Sequence, residues 1–555
     1  MADFQKTESR KPRLPFLPLH WNKTVKAFNA IFKQTVRSAL RSKVFIVLFA
    51  LILLCVIGLP LTIRGDNTAA GLVQVSLTYS LNLVIALVSA SCLWLACSLL
   101  SSEIEGYQVH MVVTKPCPRW KLWFGKFLGV FLMHAVILVV SMAVIYGLTF
   151  YRISHAQKTG LFTEEDIQKL RQESLVARRE FRPTPPDLQN AVVEEYRKRV
   201  NQGVINVNVT DELAAKQAIM NELLENVMSN ITMKPGETKS WNFNNVRIPD
   251  KDAVIYLRFR MYSNDTMTTD QRQIPLDIGV QVFADENGKR QPRTGAVPEV
   301  WYTEFTGKPF MMPGGSWQEI STIQPSVKRD AEGTLNLTEG TLPVYAKMIV
   351  DDESKDQVRV TFRNLSDLLL PPAESIPADE ESQDEYRKLV RNATGVFQVA
   401  DGPTLLCPVA SFLDNYLRTM LMAIFQLAFL SALGCTVGSL FSTPVAVFVA
   451  VAYLIIGLVV PAATSAPLRG DNGRFIYKNV WEHGAHYMAQ GVQALVVTVD
   501  DLDCTGNLAN GRLVELSQLN MAFLKVVLLR SGLLALIGIY CLTRRELGLV
   551  VRRIS

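Results

Sequence analysis

Charged and helix-breaking residues gather in one short polar stretch, residues 101–129, which separates two long runs without charge. Two acidic residues and a glycine follow the first run, a Lys-Pro pair interrupts the next helix, and an arginine leads into the second run. A rigid hairpin with a charged tip could pass force from a docked soluble partner to the two apolar segments. The residues predicted to do so are Glu103, Glu105, Gly106, Lys115, Pro116 and Arg119.

The same charges have a second explanation, because charges at a membrane exit also hold a loop on one side of the bilayer. No other pattern predicts a catalytic constellation, a metal site or a bound cofactor. The sequence has no G-x-x-x-x-G-K-(S/T) phosphate-binding loop. We therefore expect no enzyme activity in this chain, and any nucleotide would be bound by a separate protein.

Six apolar runs explain the composition of the chain, in which 49% of the residues are hydrophobic and 19% are charged. A helix needs about 20 apolar residues to cross roughly 30 Å of hydrocarbon, and soluble domains do not contain such runs. The sequence therefore predicts a polytopic α-helical membrane protein. Its predicted transmembrane helices are 44–63, 77–100, 127–151, 419–440, 445–460 and 524–543.

Basic residues are concentrated at both ends of the chain. Residues 1–43 contain ten Lys and Arg against two acidic residues, and the tail 544–555 contains four arginines against one glutamate. The positive-inside rule then places both termini in the cytoplasm, and we expect a bacterial inner membrane. In the last span, Arg530 either lies above the bilayer or faces a polar cleft.

The basic N-terminal segment ends in an amphipathic pattern at 21–43, which predicts a helix in the membrane interface, with a plain solvated helix as the alternative. A nucleic-acid partner is not predicted, because the segment shows neither interleaved aromatic residues nor a binding fold.

A polar insert, 152–413, separates spans 44–151 from spans 414–543 and is expected outside the cytoplasm, as is a segment at 464–520. Thr163 opens the insert with a capping-box pattern. Helices are predicted near 163–182, 187–200 and 211–229, and the charged stretch 379–391 is expected to be helical or loose. Alternating patterns predict strands at 254–262, 278–283, 344–350 and 357–362. We therefore expect an α+β domain that contains a β-sandwich. Cys407 and Cys504 could form a disulfide or remain free thiols.

Several short motifs resemble the ABC-2-type transporter permeases. The clearest are Thr114-Lys115-Pro116, Arg119-Trp120 and Gly125-Lys126-Phe127-Leu128-Gly129, which are similar to the loop between the second and third spans of that family. The run 39–45 is similar to the family's approach to the first span, and 411–415 and 442–445 are similar to members with large external inserts. The resemblance covers about half of the chain, whereas the size of the insert and residues 107–110 depart from the usual pattern.

The resemblance implies a role in ATP-driven export. The chain would be the membrane subunit, would pair with a second permease chain, and would receive a cytoplasmic ABC ATPase on loop 101–126 and the preceding interfacial helix. ATP would be bound by that partner. The six hairpin residues named above would couple its hydrolysis to the export or extraction of a substrate, or to mechanical work on the envelope.

Two other functions stay open from the sequence. The chain could be a non-transporting membrane scaffold or sensor whose insert binds an envelope protein or a glycan. An enzyme within the insert is less favoured, because His155 is the only histidine in 152–413.

Overall fold

The computed structural model describes most of the apolar segments and a large part of the insert. The described residues are 19–62, 68–109, 118–183, 188–202, 212–263, 273–281, 299–302, 310–313, 317–320, 322–323, 328–329, 335–336, 342–350, 357–368, 370–372, 375–377, 380–397, 402–464, 480–496 and 502–545.

The chain forms two compact units. The first, here the helical unit, comprises Met1–Ser174 and Phe412–Ser555, and the second, here the mixed unit, comprises Leu175–Ser411. The mixed unit begins later than the insert predicted from 152, because the helix before it continues to Lys158 and the short helix that follows packs against the helical unit.

Helices make up nearly all of the described helical unit and a smaller part of the mixed unit. In chain order they are α1 (Leu19–Leu40), α2 (Lys43–Thr62), α3 (Ala69–Glu105), α4 (Arg119–Lys158), α5 (Glu164–Glu173), α6 (Leu188–Asn201), α7 (Glu212–Ile231), α8 (Ala346–Ile349), α9 (Glu380–Asn392), α10 (Phe412–Leu440), α11 (Thr443–Thr464), α12 (Val480–Leu495), α13 (Thr505–Ala509) and α14 (Leu516–Arg544).

Six helices of the described chain, α2, α3, α4, α10, α11 and α14, are long and apolar enough to cross a membrane, as the sequence predicts. Several are longer than the predicted spans. The C-terminal end of α3 and both ends of α4 carry polar residues, so these helices continue beyond their apolar runs.

The central contact of the helical unit is between α3 and α10, which run in the same direction. Two glycines allow it. A Cβ atom at Gly434 would lie 2.5 Å from the Ala96 Cβ atom, and one at Gly438 would lie 2.6 Å from the Cys97 carbonyl oxygen. Small residues at these positions let two apolar helices approach closely enough for dispersion contacts between their backbones.

Polar side chains join the buried faces of α3, α4 and α10. The Cys92 sulfur lies 3.1 Å from the Ser431 hydroxyl, and the His134 Nε2 atom lies 3.2 Å from the Ser91 hydroxyl. The Tyr416 hydroxyl donates to the Met142 carbonyl oxygen at 2.7 Å. Hydrogen bonds of this kind satisfy polar groups that lipid could not.

The last helix, α14, contains a π-helical segment at Phe523–Ser531. The Ser531 hydroxyl donates to the Val526 carbonyl oxygen at 2.9 Å, and the Arg530 guanidinium donates to the Gln493 carbonyl oxygen of α12 at 3.3 Å. Arg530 thus has a polar contact within the protein at the position where the sequence left its surroundings open.

A polar segment, residues 502–514, is fastened to the end of the bundle at which α3 and α10 begin. The Gln74 amide of α3 donates to the Asn510 side chain at 2.5 Å. The Asn415 amide of α10 donates to the Arg512 carbonyl oxygen at 2.7 Å and accepts from the Val514 N–H at 2.8 Å. We call this the far end of the bundle.

The mixed unit is built on antiparallel sheets. Its strands are β1 (Val176–Phe181), β2 (Thr232–Met233), β3 (Thr238–Phe243), β4 (Tyr256–Arg260), β5 (Tyr262–Ser263), β6 (Gln273–Gln281), β7 (Glu299–Tyr302), β8 (Phe310–Pro313), β9 (Trp317–Ile320), β10 (Thr322–Ile323), β11 (Lys328–Arg329), β12 (Leu335–Asn336), β13 (Leu342–Pro343), β14 (Val358–Asn364), β15 (Gly395–Val396) and β16 (Thr404–Ser411).

Two larger sheets share one hydrophobic core. The first has the order β1-β16-β4-β9, and the second has the order β3-β14-β6-β7, with β8 also paired to β6. Phe259 of β4 and Leu405 of β16 belong to the same buried cluster as Ile278 of β6 and Phe362 of β14. The remaining strands form a sheet of order β2-β15-β5 and the pairs β10-β13 and β11-β12.

Two local predictions for the insert are wrong. The Thr163 capping box is present, with Asp166 as its partner, but α5 ends at Glu173 instead of near 182. The cause is long-range pairing, because Val176–Phe181 pairs with β16 as a strand. The pattern at 344–350 is also not a strand; α8 lies there, beside an isolated bridge between Val254 and Tyr345.

Cys407 and Cys504, the two candidates for a disulfide, are free and buried. Burial raises the pKa of the Cys407 thiol, and burial together with the Asp503 carboxylate raises the pKa of the Cys504 thiol to about 11. Both therefore remain protonated at neutral pH and are poor nucleophiles for disulfide exchange.

The contact between α3 and α10 predicts an asymmetry between two glycines. Gly438→Ala places a methyl group against the Cys97 backbone and should destabilise the protein by about 1–3 kcal/mol. Gly147→Ala in α4 meets no atom within 4 Å and should leave stability unchanged or raise it by up to about 1 kcal/mol. Thermal unfolding of both variants in lipid nanodiscs measures the difference, and equal effects would contradict the packing described here.

Candidate functional site: a polar ring at one end of the bundle

A buried ion pair joins α3 to α4 where the two helices meet at the base of the hairpin. The Lys126 ammonium donates to a Glu103 carboxylate oxygen. The Lys126 side chain is 2% exposed and that of Glu103 is 11% exposed. Because removing two charges from water is costly, such a pair holds its position only while both partners are present.

Glu105 and Ser101, on the last turns of α3, reach the turn between α10 and α11. The Thr443 N–H, at the start of α11, donates to a Glu105 carboxylate oxygen at 3.2 Å. The Ser101 hydroxyl donates to the Phe441 carbonyl oxygen at 3.0 Å and accepts from the Thr443 hydroxyl at 3.1 Å. The carboxylate thus satisfies an N–H that a helix leaves open at its first turn and complements the helix dipole.

Arg119 makes the equivalent contact at a helix C-terminus. Its guanidinium, at the start of α4, donates to the carbonyl oxygens of Leu542 at 2.9 Å, Thr543 at 2.8 Å and Arg545 at 3.0 Å. These carbonyl groups lie at the end of α14, where intrahelical donors are lacking. A cation at this position is also favoured by the helix dipole.

Arg545 links α14 to α10, because its guanidinium donates to the Ser439 carbonyl oxygen of α10 at 2.7 Å. Polar contacts now run from α3 to α4, from α4 to α14, from α14 to α10, and from the α10–α11 turn back to α3. We call this arrangement the polar ring. Its members are Ser101, Glu103, Glu105, Arg119, Lys126, Ser439, Thr443 and Arg545.

The ring lies next to the point at which α3 ends. The Gly106 N–H donates to the Ser102 carbonyl oxygen at 2.8 Å, and Tyr107 then adopts a left-handed conformation with φ of 57°. This conformation is unfavourable for residues with a Cβ atom and ends the helix. The Tyr107 and Trp120 side chains, on either side of the hairpin base, are 57% and 48% exposed.

Helix α1 packs on α4 beside the ring. A Cβ atom at Gly125 would lie 2.7 Å from Ile31, and one at Gly129 would lie 2.7 Å from Thr35. The buried face of α1, which includes Ala39, is therefore turned toward a helix, and Lys33 and Arg37 on its other face are exposed. The basic amphipathic helix predicted at 21–43 thus has a protein partner along part of its apolar face.

The structure brings four of the six predicted hairpin residues together. Glu103, Glu105 and Arg119 are members of the ring, and Gly106 adjoins it. Lys115 and Pro116 lie outside the described residues. The contacts of Glu103, Glu105 and Arg119 given above are with neighbouring helices of the same chain, so these side chains position the ends of the bundle.

The sequence does not predict the other five members of the ring. Lys126 belongs to the motif at 125–129, and a lone lysine beside an apolar run indicates a charge that needs a buried partner. In the sequence, Arg545 is only one of the four arginines of the basic tail. Ser101, Ser439 and Thr443 carry no sequence signal for their partners, because the contacts depend on how α3, α10 and α14 pack.

Among the described residues, no group of His, Cys, Asp and Glu could hold a metal ion. The donors and acceptors of the ring form hydrogen bonds and an ion pair with each other, and these contacts connect the helix ends. Comparison with protein-family models, with curated proteins and with solved structures finds no match to this chain.

The buried pair predicts a characteristic pattern in a double-mutant cycle. Lys126→Met leaves Glu103 buried without its cation and should cost about 3–5 kcal/mol of stability, whereas Glu103→Leu with Lys126→Met should recover most of that loss. Equilibrium unfolding in nanodiscs measures both. Lys33→Met, at an exposed position on α1, is the matched control and should change stability by less than about 0.5 kcal/mol. A neutral Lys126→Met, or strictly additive losses, would contradict a buried pair.

Proposed function

We propose that this chain is the membrane-spanning permease subunit of an ATP-driven exporter of the ABC-2 type, acting with a separate ATPase. The polar ring carries the proposal. It connects the base of one short hairpin to the ends of α3, α4, α10, α11 and α14. A displacement of the hairpin would therefore reach most of the apolar helices together.

Because the contacts of the ring point into the bundle, the proposal separates the residues that hold helix ends from the surface that binds the ATPase. Glu103, Glu105 and Arg119 hold helix ends and act as positioning residues. The ATPase would bind the outer surface of the hairpin base, where Tyr107 and Trp120 present exposed aromatic side chains. Exposed aromatic residues of this kind supply much of the binding energy in protein interfaces.

Charge supports the orientation that we propose. Exposed basic residues on α1 lie beside the ring, and Arg544 and Arg545 lie at the end of α14. The positive-inside rule then assigns the ring to the cytoplasmic side of a bacterial inner membrane. The mixed unit, which we interpret as an α+β domain with a β-sandwich, would lie outside the cytoplasm and act on an envelope protein or a glycan.

The proposal includes a second permease chain in the bilayer. The windows of α2 and α11 that could cross a membrane are only 22% and 17% buried, so most of their apolar surface is available to lipid or to another copy. A subunit that works with a nucleotide-driven partner needs no phosphate-binding loop of its own, and the sequence contains none.

Capture of the ATPase from the native organism tests the proposal. The tagged full chain, solubilised with native lipid, should co-purify a protein that contains a phosphate-binding loop. Tyr107→Glu combined with Trp120→Glu should reduce its recovery by roughly tenfold or more, because both exposed aromatic contacts are lost. Neither residue is a member of the polar ring, but Trp120 contacts Phe124 and Lys121, so the loss of stability should stay within about 1.5 kcal/mol.

Leu161→Glu is the matched control, because this exposed residue lies beyond the other end of α4. It should leave the recovery of the ATPase intact. A scaffold or sensor would instead purify without any ATPase, or with partners that are indifferent to the hairpin substitutions. Either result would refute the permease assignment.

A further inference from the structure

A cavity of about 730 Å³ lies between α3, α10 and α11 in the helical unit, and residues 502–505 cover its far end. Its volume falls within the range of sites that hold small organic molecules. The walls are mainly apolar, with Ile85 from α3, Phe429 from α10 and Leu454 from α11. Transfer of a hydrocarbon group from water into apolar surroundings of this kind is favourable.

Polar groups are confined to two levels of the cavity. Asn82 and Ser89 are seven residues apart on α3, and Thr419 and Gln426 are seven residues apart on α10, so each pair lies on one helix face about 10 Å apart along the axis. Because α3 and α10 run in the same direction, the first member of each pair lies at the far end. Below that end the remaining walls are apolar, apart from the indole N–H of Trp94.

The contacts described at the far end leave acceptor capacity, because the Asp503 carboxylate has about four acceptor sites. The Thr505 hydroxyl lies within hydrogen-bond distance of the Asn82 side-chain amide and of one Asp503 carboxylate oxygen. The same Asp503 oxygen also accepts from the Thr505 N–H at 3.0 Å. A group that donates hydrogen bonds would complete this end of the cavity.

Gln426 offers a second polar group lower in the cavity. Its side chain lines the cavity from α10 and is half-buried. A ligand group at this level can form a hydrogen bond with the Gln426 amide.

The charged residues that line the cavity restrict the charge of the head group that it can bind. Asp503 is the one acidic residue that lines the described cavity, and no Lys, Arg or His lines it. An anionic head group would lie near a carboxylate without a compensating cation, which is unfavourable in an apolar site.

We propose that this cavity binds a membrane amphiphile with one hydrocarbon chain and an uncharged or cationic head group that donates hydrogen bonds. The head group contacts Asn82, Asp503 and Thr505, its linker reaches Gln426, and the chain fills the apolar part. The claim that this amphiphile represents the exported substrate rests on the proposed function. The claim that the cavity binds it does not.

Photo-crosslinking of the purified full chain in phosphatidylcholine nanodiscs, without any ATPase, tests the site. The probe is a monoacylglycerol with a diazirine in its chain, and the comparison probe is the fatty acid with the same chain. The monoacylglycerol should label α3 and α11 residues of the cavity saturably, with competition by unlabelled monoacylglycerol. The anionic probe should label them at least about tenfold less.

Two pairs of variants make the result decisive. Ala90→Trp fills the cavity and should reduce labelling by about tenfold or more, whereas Val136→Trp, on an exposed part of α4, should have no effect. Gln426→Leu should weaken binding about fivefold through one lost hydrogen bond. Gln490→Leu is its matched control, because Gln490 is an exposed glutamine of α12 that does not line the cavity.

Non-saturable labelling, equal labelling by the two probes, or indifference to both Ala90→Trp and Gln426→Leu would overturn the proposal. If Ala90→Trp does not fold, the Gln426→Leu and Gln490→Leu pair decides alone. No ATPase is present in this experiment, so a negative result would not bear on the permease proposal, which the capture experiment tests. Equally, a failed capture would not change the binding result.

Discussion

A lysine and a glutamate that are both nearly removed from solvent must remain paired, and this requirement determines how α3 and α4 meet. Lys126 lies in the second turn of α4 and Glu103 in the last turn of α3, so their contact sets the register between the two helices. Other contacts follow from that register. Gly125 and Gly129, on either side of Lys126 in the sequence, face Ile31 and Thr35, so α1 packs against the same stretch of α4.

The rest of the ring uses the unsatisfied ends of helices. Glu105 binds the first turn of α11, Arg119 binds the last turn of α14, and Arg545 binds the end of α10. Apolar helices in lipid gain little from the hydrophobic effect when they associate, so close packing and polar contacts must specify their partners. Here Gly434 and Gly438 provide the close packing between α3 and α10, and the ring provides directional contacts at one end. The close packing at the glycines and the polar contacts of the ring together define which helix ends are neighbours.

The sequence predicted what depends on local composition. Six long apolar helices, the Thr163 capping box and the strand at 357–362 follow from hydropathy, side-chain chemistry and alternation, and the structure confirms them. Predictions from the sequence failed where contacts with distant residues determine the local structure. Val176–Phe181 reads as helix but pairs with β16, and the partners of Lys126 and Arg545 are fixed by packing that no local pattern encodes. The cavity was missed for the same reason, because its polar and apolar walls come from three helices and a separate segment.

The ring makes one physical claim, that its helix ends behave as a single unit. Hydrogen–deuterium exchange of the full chain in nanodiscs, compared between the native protein and Arg119→Gln, tests it most directly. The account predicts exchange faster by roughly tenfold not only at 540–545, where the substituted contact lies, but also at 101–107 and 439–446, with α7 unchanged as an internal reference. Faster exchange confined to the end of α14 would contradict it, because the contacts would then be independent caps and not a connected ring.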